Sequence, residues 1–183
     1  MSGVVALMEF DSCGGTAPQC RACGFVPPGD CRPIPAGLRS VAADYATAVR
    51  RLADARQAAA ENGSNLAGSW SAAGCVFHVA DTLDVCAERL EQFRIFDRPC
   101  LDGLDGGEPP AAGDMDLAIR RLAATTERVA QTVESMPPEL WSRTGVLGCV
   151  EVSALEIARW AWHESVHHLG DLPTAVVNPL APK

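Results

Sequence analysis

The chain has 183 residues, 48% of them apolar, and a formal net charge of −8. That length suffices for one domain with a sizeable core, and the apolar share is too high for a disordered chain. The acidic balance, with no Lys/Arg cluster, argues against nucleic acid or an anionic membrane as partner. No apolar run approaches the roughly 18 residues needed to span a bilayer. Residues 1–10 carry Glu9 and lack the basic start of a signal peptide. These features predict a cytoplasmic protein. Structural disulfides are rare in that compartment, so the eight cysteines call for another role.

Residues 1–34 are rich in Gly, Pro and Cys, show no sustained period, and are expected to form an irregular arm. Four of the cysteines fall there, as Cys13, Cys20, Cys23 and Cys31. Cys20-x-x-Cys23-Gly24 has the form of a zinc-ribbon knuckle, in which thiolates bind the ion and the glycine lets the backbone turn beneath it. One Cys-x-x-Cys is half a site, so a structural zinc here needs Cys13 and Cys31 as well. Plain thiols are the competing reading, and the simpler one. The remaining cysteines, Cys75, Cys86, Cys100 and Cys149, are scattered as core residues are.

The first helix is expected from Pro35 to about Asn62-Gly63, with Leu38, Val41, Tyr45, Val49 and Leu52 on one stripe. A second begins near Ser71, a suitable N-cap, and ends before Asp97-Arg98-Pro99. His78 lies two turns in, with small or polar neighbours (Gly74, Cys75, Asp81, Thr82) on its face. A core helix would place leucines there; this composition suits a pocket. Residues 97–113 read as a long loop, and residues 114–136 as a third helix with an apolar seam of Met115, Ile119, Leu122, Val129, Val133 and Met136. Pro137–Trp141 is a turn with a short helical piece, and residues 142–150 an extended connection. The fourth helix opens on a capping box, Ser153-x-x-Glu156, and stops at Gly170 and Pro173. Four apolar-striped helices make an all-α four-helix bundle over residues 35–175, with an irregular tail over 176–183.

Three of the four histidines fall within six positions of that last helix, at His163, His167 and His168. His163 and His167, four apart, share a face, and His168 is turned roughly 100° from His167. Three readings compete. His163-Glu164-Ser165-Val166-His167 spells the zincin metalloprotease signature H-E-x-x-H, with Glu164 as general base. Zincins take a third ligand downstream, and the residues after His168 include neither Glu nor His. Glu164-x-x-His167 is half of a di-iron motif, but Cys75 stands where the partner glutamate is needed. The third reading joins His163 and His167 to His78 from the second helix. Three neutral imidazoles with an open fourth position are the layout of a catalytic divalent metal, with zinc first and Ni, Fe or Mn behind it.

Trp70-Ser71 with His78-Val79-Ala80-Asp81, followed by Trp162-His163-Glu164-Ser165-Val166-His167-His168-Leu169-Gly170-Asp171-Leu172, resembles the DinB/YfiT-like superfamily. Cys20-x-x-Cys23-Gly24-Phe25 is similar to the opening of one actinobacterial-type branch. The resemblance implies a four-helix bundle holding a divalent metal through His78, His163 and His167. It also implies thiol-dependent enzymes (mycothiol or bacillithiol S-transferases, maleylpyruvate isomerase) or metal-dependent hydrolases.

A metal-dependent transferase or hydrolase acting on a small molecule is therefore expected, with a low-molecular-weight thiol or water activated at the ion. Asp81, Glu164 and Asp171 are candidates for orienting ligands or moving protons. Glu164, next to His163, is turned off the ligand face. Cys75, one turn before His78, is a further donor or nucleophile, or else an inert buried thiol. The alternatives are the zincin-type protease and a non-catalytic metal- or redox-binding bundle. Such bundles also pair as homodimers.

Overall fold

The computed structural model describes residues 19, 20, 23–61, 71–104, 106, 107 and 113–172, without the side chains of 55–61. Cys13 lies outside the described residues, as does the expected tail. Four long helices carry the fold: α1 (Ile34–Glu61), α2 (Ala72–Ile95), α3 (Met115–Ser135) and α4 (Ala154–Asp171).

The helices begin where local chemistry satisfies their leading amides. Ser71 accepts from Gly74 N at α2, Asp114 from Asp116 N and Leu117 N at α3, and Ser153 with Glu156 closes a reciprocal capping box at α4. The stripes then dictate packing. Leu38, Val41 and Tyr45 of α1, Leu122, Val129 and Val133 of α3, and Ile157, Ala158 and Ala161 of α4 are all buried. Helices α1 and α2 each pack on both α3 and α4, which puts the first two helices diagonally across the bundle. Wedged between α3 and α4, α2 buries both apolar and polar residues over most of its circumference, His78 and Thr82 among them. No described helix is long and apolar enough to cross a membrane.

One feature departs from the sequence expectation. The extended connection expected over 142–150 and the three residues after it form a hairpin, β2 (Thr144–Leu147) with β3 (Val150–Ser153). Strand β2 also pairs in parallel with the two-residue β1 (Cys100–Leu101), which lies in the stretch expected as a loop. Gly148, at φ +62°, opens the tight turn, as a two-residue hairpin loop favours. Each strand is too short to display a period of two, so alternation could not announce it. The sheet braces the base of α2, where Arg143 donates to the carbonyls of Phe93 and Phe96.

At the other end, the described part of the arm lies on α4. Phe25 stands edge-on to Trp162 at 5.3 Å, and Arg159 donates to the carbonyls of Pro28 and Gly29, at 2.8 Å each. Gly37 makes room in this corner: a Cβ there would sit 2.2 Å from the Trp162 ring, so that the ring would have to shift. Thus α4 is clasped by the arm on one side and by α2 on the other.

Candidate metal centre

Helix α4 carries two adjacent sites because successive residues are turned about 100° from one another. His163 and His167, with ring centroids 5.4 Å apart, face the arm. His168 and Glu164 face α2.

On the arm side, Gly24 adopts φ +76° and its N–H donates to the Cys20 carbonyl at 2.8 Å, closing a tight turn. That turn brings Cys20 and Cys23 to the histidines. Ligand atoms of Cys20, Cys23, His163 and His167 all lie within 4.8 Å of one another. The Cys20 sulfur stands 3.8 Å from His167 Nδ1. His163 is only 4% exposed, and both ring nitrogens are shielded from solvent with no hydrogen bond of good geometry. Its Nδ1 stands 3.3 Å from a Glu164 oxygen. Burial disfavours charge on this ring, but Glu164 and Cys20 outweigh it and raise the pKa. A buried imidazole whose ring nitrogens make no hydrogen bond of good geometry, beside two sulfurs and a second imidazole, fits a divalent ion.

On the other side, His78 meets His168 edge-on, with ring centroids 5.0 Å apart. Loop residue Gly107 accepts from His78 Nδ1 at 2.9 Å. Close packing holds that loop in place, since a Cβ on Gly106 would come within 2.5 Å of the Thr82 nitrogen. His168 is bracketed by carboxylates, with Nε2 3.4 Å from Glu164 and Nδ1 3.0 Å from Asp171. Burial works against its charged form, and the two carboxylates more than compensate, raising its pKa. For Glu164 burial works upward, yet His163 and His168 together pull its pKa down to about 2.

The histidines named from sequence are thus divided. His163 and His167 share a face, joined by Cys20 and Cys23, while His78 stands with His168. Glu164, expected to turn away, does leave the ligand face, but into the interior, where its side chain is 13% exposed. Asp171 pairs with His168, whereas Asp81 is engaged by Arg121 at 2.6 Å. Cys75 donates to the backbone carbonyl of His168, and burial pushes its thiol up to about 11, so it is protonated at neutral pH. Cys31 packs at the edge of the core, outside the four-residue cluster. The sequence does contain the cluster, as Cys-x-x-Cys plus His-x-x-x-His, a zinc-ligand spacing split across the chain.

A family model describing the DinB superfamily matches residues 38–172. The chain belongs to the DinB superfamily. No curated protein and no solved structure matches it. The matched span contains all four histidines and leaves out Cys20 and Cys23. This DinB-superfamily chain therefore pairs family residues with sulfur donors from outside the match, in a cluster compatible with a divalent metal.

Proposed function

We propose that this chain is a metal-dependent enzyme acting on a small molecule, with its chemistry on the His78–His168 side of α4. The observation carrying this reading is the meeting of His78 from α2 and His168 from α4, bordered by Glu164 and Asp171. With Nδ1–H donated to the Gly107 carbonyl, His78 presents Nε2 as the nitrogen for a reactant. That nitrogen takes a proton from a thiol or a water. His168, whose charged form is favoured by Glu164 and Asp171, is placed to return a proton to the leaving group. The donor set that fits a divalent ion lies across α4, where Cys20, Cys23, His163 and His167 would hold it and fix the helix that carries His168.

The transferase form uses a low-molecular-weight thiol against an electrophilic carbon; the hydrolase form uses water. The metalloprotease alternative is weakened by Glu164, whose carboxylate at a pKa of about 2 is a poor general base at neutral pH. The test is turnover of simple electrophiles with added low-molecular-weight thiols, alongside ester and amide hydrolysis. We expect one of the two to be metal-dependent and to fall by about 10²–10⁴ in kcat/KM in His78→Ala. Full activity in that variant would overturn the reading.

A further inference from the structure

We propose that Cys20, Cys23, His163 and His167 form a closed, four-coordinate zinc site that fastens the N-terminal segment to α4. Four protein donors are the number a structural zinc takes, and two thiolates with two imidazoles are a preferred set. With Zn–N near 2.0 Å and Zn–S near 2.3 Å, neighbouring ligand atoms of a tetrahedron stand roughly 3.3–3.8 Å apart. The cluster, all within 4.8 Å, needs a contraction of about 1.5 Å at most to reach that spacing. Cys20 and His167, at 3.8 Å, are nearly there.

Three independent features support a built site. The buried His163 ring has no good hydrogen bond at Nε2, the nitrogen left over when Nδ1 faces Glu164. Carboxylate on one imidazole nitrogen and metal on the other is the arrangement that fixes ring orientation at zinc. The Gly24 turn, at φ +76°, holds Cys20 and Cys23 side by side, a conformation a larger residue would resist. The segment is also gripped away from the donors, by Arg159 on Pro28 and Gly29 and by Phe25 on Trp162.

With four protein ligands the ion has no position open to water or substrate, so this zinc anchors and does not catalyse. It occupies the two α4 histidines that the sequence pattern assigned to a catalytic ion. The site stands independently of the enzymatic reading, since it needs no substrate and does not use His78.

The test uses the full chain purified with zinc. We expect one tightly held zinc per chain that survives dialysis, and loss of that equivalent in Cys20→Ser and Cys23→Ser. Cobalt exchange should give intense tetrahedral d–d bands with thiolate-to-cobalt charge transfer, unchanged in His78→Ala. In the wild-type protein zinc should protect Cys20 and Cys23 from iodoacetamide, and a chelator should abolish that protection. This last measurement needs no variant to fold. Octahedral cobalt without a thiolate band, equal alkylation with and without zinc, or loss of the thiolate band in His78→Ala would each overturn the proposal. Absence of enzymatic turnover alongside an intact cobalt–thiolate spectrum would count against the enzymatic reading alone.

Discussion

The two sides of α4 make an instructive pair. Both draw on the same short stretch of helix and on histidine, yet one is a soft-donor site and the other a hard one. His163 and His167 look onto sulfurs carried by an irregular segment, while His168 and Glu164 look onto an imidazole and a loop carbonyl presented by a regular helix and its neighbour. What separates them is about 100° of rotation per residue. Partner chemistry is decided by what lies opposite, not by the helix that carries the histidines. Glu164 belongs to both, reaching His163 with one oxygen and His168 with the other.

The two sides should differ most in activity. His78→Ala should lose about 10²–10⁴ in kcat/KM while zinc content and Tm stay unchanged; a parallel loss of zinc would merge the two sites into one. Next in size, Cys20→Ser/Cys23→Ser should empty the arm site and lower Tm by about 6–12 °C in calorimetry, the shift of about 3 kcal/mol for a chain of this size. The activity of any molecules still folded should survive. Glu164→Gln should be felt on both sides. Zinc affinity, measured by competition with a chromophoric chelator, should weaken about 10–100-fold as the carboxylate behind His163 is lost.

A smaller effect is expected at Gly37→Ala, where the new methyl must displace Trp162 and with it the seat of Phe25. Overpacking of this kind costs about 1–3 kcal/mol, read as a fall in urea midpoint. The smallest belongs to a remote control. Arg39 binds Glu127 and Glu134 across α1 and α3 and holds both carboxyls below their usual range. Their contribution is present above the unfolded carboxyl range and is lost as pH falls below it. Arg39→Ala should therefore slightly reduce stability near neutrality, converge on wild type in acid, and leave both α4 sites untouched.

The fold was largely legible because its signals are local. Ser71, Asp114 and the Ser153–Glu156 box mark helix starts, and stripes such as Leu38-Val41-Tyr45 mark faces. The hairpin escaped because strands of four residues have too few positions to show a period. At the site, the His163–His167 pairing needs only helical spacing. A helical wheel of α4 could not assign His168 its neighbour, because His78 belongs to another helix. Nor could it bring Cys20 to His167, 147 positions away. Helical spacing turns Glu164 off the ligand face, as observed; the covering of that second face by α2 comes from packing.

The clasp of the arm on α4 also orders events during synthesis. Arg159 grips a carbonyl 131 positions earlier, and a ribosome adding about 5–20 residues per second needs several seconds to traverse that distance. Throughout that interval the Cys20–Cys23 turn has no helix to close against. The contact is among the most non-local in the molecule, so its closure belongs late in folding, after the bundle that receives it.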